Sequence, residues 1–316
     1  MGIKYLNKYL NKKCSGDSIY IDHLSNYSNK TIVVDTSIYL YKFLGENALI
    51  EYMYIMITLF MKYNITTIFV FDGKPPDEKK NIIRERRKAK REAETEYNNL
   101  HDMLEDVDSA DKKQTIIKME NLKKRFIRVK NNDIRDVQEM MNYFNILYVE
   151  ANGEADELCA KLCVSGLADA CLSDDMDMFA YGCPKILRNL NMVKHNVQCY
   201  DYVKIINELQ IRSDNMKDIL ILSKNDYNTD NSSDLYETLK WHNEWRAAKT
   251  DINFIEWLYT TTKYIKDYEQ VVKIRMIFTL DEHIEMNVNN MLSNKSSIID
   301  KKGLAGFLHN HGFIFV

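Results

Sequence analysis

The sequence is short of the residues that break structure. Three Pro and ten Gly in 316 residues exclude collagen-like repeats and argue against long structureless linkers. No apolar run is long enough to cross a bilayer, because the greasiest stretch, Ala48 to Tyr63, is short and carries Glu51 and Lys62. Met1 to Asn11 alternates Lys with Tyr and Leu and lacks the apolar core of a secretory signal, so a soluble, intracellular chain without a membrane partner is expected. Paired cysteines are missing as well. Cys14, Cys159, Cys163, Cys171, Cys183 and Cys199 form no CxxC pair, and four sit in apolar contexts, which predicts reduced core thiols rather than a zinc site. Excess positive charge is absent: 43 Lys and Arg against 46 Asp and Glu give −3, so any binding of nucleic acid has to be local.

What is present begins with an ordinary globular composition, 45% hydrophobic and 28% charged, at a length that suits one large α/β domain or two average ones. Basic residues concentrate from Lys79 to Arg91, KKNIIRERRKAKR, with eight Lys or Arg in thirteen residues. Such a run is either a solvated helix face or a phosphate-binding one. Three β-like runs end in aspartate: Thr31 to Val34 before Asp35, Thr66 to Phe71 before Asp72, and Asp169 to Ser173 before Asp174, Asp175 and Asp177. Helical patterns lie between them, and this alternation predicts a doubly wound, mostly parallel sheet with flanking helices. Ligands bind outside the carboxyl ends of such strands. Asn145 to Glu150 reads as a further strand, and the helix after it opens with Glu154 and Asp156.

A strand-end Asp alone serves as a helix cap or turn residue, and acidic residues suit helix N-termini. Six carboxylates on one edge, however, repel one another unless cations neutralise them. Oxygen ligands without His or Cys favour Mg²⁺ or Mn²⁺. Two such ions activate water and stabilise the leaving oxygen of a phosphodiester, and the basic run then has a substrate to hold.

The blocks MGIKYL, IVVDTSIYLYKFL, FVFDGKPP, EANGEADELCAKL and LSDDMDMFAYG, with a weaker ILILSKNDY, resemble the flap endonuclease-type, structure-specific 5′-nuclease family, most closely its poxvirus branch. They cover about Met1 to Tyr227, and the Asn, Lys, Ile and Tyr richness is consistent with an AT-rich viral genome. The resemblance implies a PIN-like nuclease core, a helical arch at about residues 78–130, a helix-two-turn-helix-like region at about 217–250 and a C-terminal helical part at 251–316. Gly303 to Phe313 resembles a late family helix that ends in a His-Gly-Phe turn. Implied metal ligands for two Mg²⁺ ions, with Mn²⁺ as a substitute, are Asp35, Asp72, Glu154, Asp156, Asp175, Asp177 and Asp226. Asp174 matches a position without a ligand role. Lys79 and an arch arginine, Arg84 slightly ahead of Arg86, would contact the scissile phosphate. The expected DNA-binding set is Gly2, Tyr41, Lys80, Arg87, Lys88, Lys90, Arg91, Arg125 and Arg128. Tyr41 reads equally as a core residue, and Arg125 and Arg128 equally as ordinary helix charges.

Two departures stand out. Tyr227 to Asp234, YNTDNSSD, has no glycine where the family carries a Gly-rich, K⁺-binding loop, so the K⁺ site and that duplex grip are in doubt, and Leu235 to Lys249 is a candidate replacement. No sliding-clamp motif is evident. Glu94 to Asp111 lacks an apolar stripe and reads as a mobile part of the arch. The implied activity is Mg²⁺-dependent cleavage of flapped or branched DNA in viral replication, recombination and repair. The implied location is cytoplasmic replication sites, with viral replication proteins as candidate partners. A Holliday-junction resolvase and a non-catalytic junction scaffold are the alternatives.

Overall fold

The computed structural model describes residues 2–104, 109–228, 234–280 and 298–314. In chain order the elements are α1 (Leu6–Lys13), β1 (Ile19–His23), β2 (Thr31–Asp35), α2 (Thr36–Gly45), α3 (Leu49–Lys62), β3 (Thr66–Phe71), α4 (Lys80–Asp102), α5 (Ser109–Arg125), α6 (Asn131–Phe144), β4 (Leu147–Glu150), α7 (Ala155–Val164), β5 (Ala170–Leu172), β6 (Lys185–Asn191), β7 (Asn196–Asp201), α8 (Tyr202–Leu209), α9 (Ser213–Leu222), α10 (Leu235–Ala248), α11 (Phe254–Thr261), α12 (Tyr268–Ile277) and α13 (Lys301–Asn310).

The strands form one seven-stranded sheet in the order β1-β7-β6-β5-β2-β3-β4. The five central strands, β6 to β4, run parallel, while β7 and β1 add an antiparallel edge. Both faces are covered, as β-branched strands buried on two sides require. Ile32 and Val34 of β2 and Phe69 and Phe71 of β3 pack towards α2, α3, α6 and α13. Their neighbours Val33, Ile68 and Val70 face α1, α7, α8 and α9. From β2 the chain winds through β3 and β4 to one side and through β5 and β6 to the other, so the winding reverses between β2 and β5. In a doubly wound sheet that reversal opens a crevice at the carboxyl edge.

The expected strand from Asn145 starts two residues later, because Asn145 takes a left-handed backbone (φ 54°) to end α6. Glu94 to Asp102, the described start of the stretch expected to be a mobile part of the arch, completes a 23-residue α4 that pairs with α5. Its apolar contacts are few but real: Ala93, Met119 and Leu122 are buried, and Tyr97 meets Phe126 edge-on at 5.5 Å. Ion pairs Lys118–Glu96 and Arg128–Glu94 join the two helical limbs. Most of the glycine-free stretch between α9 and α10, residues 229–233, lies outside the described residues. In α13 the expected late helix runs to Asn310, and Gly312 (φ 84°) makes the turn into Phe313, whose ring meets Tyr54 at 5.6 Å.

His242 on α10 is 1% exposed, lies against Trp245 and Phe254, and its Nε2 has no partner among the described residues. Burial, with help from Arg246, lowers its pKa from 6.5 to about 4. The unfolded chain therefore binds a proton below pH 6.5 that the folded chain refuses, so stability is lost as pH falls through that window. Calorimetric melts are expected to show the wild-type midpoint falling several degrees further than that of His242→Phe between about pH 6.5 and 4.5. Parallel pH profiles would contradict the buried neutral imidazole.

Candidate active site

The ends of the parallel strands collect the acidic residues. Asp35 closes β2, Asp72 follows β3, Glu154 caps the start of α7 after β4, and Asp175 and Asp177 lie in the turn after β5. Two glycines permit the close approach. At Gly73 a Cβ would stand 1.9 Å from the Ala151 carbonyl oxygen, so only glycine lets the loops after β3 and β4 meet, where its N–H donates to the Gly153 carbonyl at 2.7 Å. At Gly2 (φ 80°) a Cβ would fall 2.3 Å from Asp175 Oδ1 and 2.7 Å from Asp177 Oδ1. The chain start thus threads directly beside the two carboxylates.

A cavity of about 560 Å³ opens over this edge, with Asp35, Asp72, Glu154, Asp156, Asp175 and Asp226 on its walls. The seventh expected residue, Asp177, lies beneath, fully buried, and neither carboxylate oxygen has a hydrogen-bond partner among the described residues. Burial, then Asp175 and other neighbouring acids, drives its pKa well above the usual carboxylate range. Asp156 is raised in the same way by burial and Glu154. Asp35 is pushed up to about 8 by burial, Asp72 and Asp175, although Ser173 Oγ donates to it at 2.9 Å.

The protein's own cations enter the cluster. Lys79, only 6% exposed, holds Glu154 at 2.8 Å and lies 3.8 Å from Asp226 and 4.6 Å above the Tyr227 ring. Burial works to lower its pKa, but Glu154, Asp156 and Asp177 outweigh it and keep the ammonium charged. Arg86 Nη2 donates to both oxygens of Asp226, at 2.8 and 2.6 Å. Tyr227 Oη donates to Glu154 Oε2 at 2.5 Å.

Arg84, ranked ahead of Arg86 from the sequence, takes no part in the cavity: positions two apart on a helix point to different sides, and it is Arg86, not Arg84, that lies over Asp226. Arg87 and Lys90 also line the cavity, and the Lys90 ammonium sits 4.7 Å over the ring of Tyr41, which is 44% exposed and therefore not a core residue. Lys80 pairs with Asp77 and Lys88 with Glu92 on the outer surface, and Arg91 does not line the cavity. Arg125 lines a separate groove between α4 and α5, beside Glu96, and Arg128 is spent on Glu94. Asp174 turns away, accepting the Asn189 N–H at 2.7 Å, while its carbonyl takes a bond from the buried Arg188. Ser173, Tyr227 and Arg188 were given no role from sequence. The first two stand inside motifs already quoted, whereas Arg188 gave no signal.

As placed, no three described His, Cys, Asp or Glu side chains enclose a common ion. The donor set nonetheless fits hard divalent cations: all ligands are oxygens, the charge is unbalanced, and Asp177 is buried with both oxygens unsatisfied.

Residues 1–93 match the model of the XPG N-terminal domain and residues 145–226 that of the XPG I-region, together more than half of the chain. Flap endonuclease 1 of Glycine max is 31% identical over 246 residues, 72% of this chain and 62% of its own. This chain belongs to the flap endonuclease-type family. It spans 62% of the length of the soybean relative and 85% of the flap endonuclease 1 of Methanococcus aeolicus, at 26% identity. The family fold recurs in the catalytic core of Rad2 in complex with DNA substrate (TM-score 0.64, 21% identity, 97% of this chain and 95% of that one). It recurs also in the Holliday junction-resolving enzyme GEN1 in complex with product DNA and Mg²⁺ (0.63, 16%, 98% and 73%).

Asp177→Asn replaces a buried carboxyl that Lys79 offsets only in part and whose oxygens have no hydrogen-bond partner among the described residues. Without divalent ions this variant of the flap endonuclease-type site is expected to melt a few degrees higher than wild type, on the order of 1 kcal/mol. Its gain in midpoint on adding Mg²⁺ should be much smaller than the wild-type gain. Equal responses to Mg²⁺ would count against an ion at Asp177.

Proposed function

We propose that the protein is a Mg²⁺-dependent, structure-specific nuclease that hydrolyses DNA phosphodiesters at junctions of single and double strand, releasing 5′ flaps or trimming 5′ ends. The observation that carries this reading is the carboxylate cluster at the sheet's carboxyl edge, roofed by a basic helix. Asp35, Asp72, Glu154 and Asp156 would hold one Mg²⁺, and Asp175, Asp177 and Asp226 a second; Mn²⁺ fits the same donors. When bound, the ions supply an activated water and charge stabilisation at the phosphate.

The chain's own groups do the rest. Lys79 and Arg86 are held at the cavity by Glu154 and Asp226, so they are in place to neutralise a phosphodiester that enters beside the carboxylates. Tyr41 offers an exposed ring on which a terminal base stacks without regard to its identity. Arg87 and Lys90 face the cavity as backbone contacts. None of these groups reads base edges, which suits an enzyme selective for shape.

The α4–α5 pair, 23 and 17 residues long, supports an arch over a 5′ strand and favours flap cleavage over junction resolution. A scaffold that had lost catalysis would have no reason to keep seven mutually repelling carboxylates. The motif blocks and the Asn- and Lys-rich composition support a poxvirus origin, with work in viral genome replication, recombination and repair at cytoplasmic sites.

The test is cleavage of a 5′-labelled double-flap duplex in Mg²⁺, beside a 3′-flap control and the Asp175→Ala variant. A product mapping to the junction is expected from wild type alone, with loss of at least about a thousandfold in the variant. Binding without cleavage in Mg²⁺ and Mn²⁺ would overturn the nuclease reading in favour of the scaffold.

A further inference from the structure

Asp226 is reached from two sides. The cavity under α4 is one. The other is a hollow of about 400 Å³ lined by Gly2, Lys4, Lys224 and Asn225, where the Lys4 N–H donates to the Lys224 carbonyl at 3.2 Å. From Lys4 the surface continues away from the arch along α1. The Lys4 ammonium lies 4.7 Å over the ring of Tyr5, and that ring stands 6.2 Å from Tyr236 of α10. Tyr9 meets Tyr236 edge-on at 6.1 Å. Beyond Tyr236 lies a groove of about 550 Å³ between α1 and α10, floored by Ile211 and Leu239 and rimmed by Lys13, Lys240 and Arg246.

Three features of this path point to a ligand. Tyr5 and Tyr236 are large rings left 45% and 46% exposed side by side. Tyr5 also takes a left-handed backbone (φ 66°), which an aromatic side chain adopts only when its surroundings hold it there. Cations outnumber acids along it: Lys4, Lys8 and Lys13 make no ion pair among the described residues, while of the acids Glu85 and Asp226 stand at the active-site end and Glu244, on the groove's rim, lies 3.9 Å from Lys240. Cations alternating with exposed rings over an apolar floor suit unpaired bases, which stack while their phosphates meet the cations. A duplex backbone would use the cations and leave the rings and floor idle.

We propose that this path binds an unpaired stretch of the strand opposite the one under the arch, so that the protein prefers a flap beside a single-stranded gap to a flap at a nick. The proposal rests on the nuclease reading and gives it a preferred substrate. It places Tyr5, Tyr236, Lys240 and Arg246 in DNA binding, all on helices α1 and α10 or their ends, where the chain lacks the family's Gly-rich loop.

Fluorescence anisotropy in EDTA, where no strand is cut, tests it with two flap substrates that differ only in a gap of about six nucleotides. Wild type is expected to bind the gapped substrate about tenfold more tightly, as stacking of one or two bases provides. Tyr236→Ala and Lys240→Glu should lose most of that preference, Lys240→Arg should keep it, and thermal melts of each variant report folding. An equal fall on both substrates would show that the groove holds paired backbone. No fall on either would show that it holds no DNA, and both results overturn the proposal. Failure of the nuclease reading appears elsewhere, as no cleavage of the nicked flap by wild type in Mg²⁺.

Discussion

Repulsion among carboxylates at one sheet edge is the constraint around which the structure is arranged. Parallel strands deliver Asp35, Asp72 and Asp175 to a common edge, and the first turn of α7 adds Glu154 and Asp156. Burial makes that gathering costly, and the high pKa of Asp35 and Asp177 records the cost. The chain offsets part of it with Lys79 and Arg86, set among the acids as ion-pair partners. Under the proposed function, those two residues are also where a phosphate would arrive. The groups that stabilise the protein alone are thus the groups assigned to its substrate, which ties stability to function at a single place.

The scaffold answers this constraint in its details. Gly73 and Gly2 allow backbone approaches that no side chain permits, bringing the β3 and β4 loops together and the chain start against Asp175 and Asp177. Ser173, buried after β5, donates to Asp35 and accepts the Asp175 N–H, so one hydroxyl joins two strand ends. Arg188 fixes the Asp174 carbonyl and so the turn that aims Asp175. Below the edge, Cys159, Cys163, Cys171 and Cys183 are free thiols of one buried core, as apolar contexts predicted.

Much of this was legible in the sequence because two local rules coincide. Runs such as Thr31 to Val34 have no alternative to a buried strand, and an aspartate directly after such a run has to emerge at the strand's end. The same logic located α7, with Glu154 and Asp156 in its first turn. What local pattern could not supply was azimuth and long-range pairing. Arg84 and Arg86 are equivalent in a basic run, and only the angle of α4 over Asp226 separates them. Whether Tyr41 belongs to the core is the same kind of choice, decided by which face of α2 is buried. The α4–α5 pair is polar enough for part of it to read as mobile, since its helicity rests on good helix formers and ion pairs such as Lys118–Glu96 rather than an apolar stripe.

The central claim is that the cluster is a site for two divalent ions which the protein's own cations only partly replace. Calorimetric titration of the metal-free protein with Mn²⁺ tests it most directly. The account predicts two ions per chain, with the stoichiometry falling when Asp177 and Asp226 are changed to Asn. Saturation with no ion, or binding untouched by those substitutions, would contradict it.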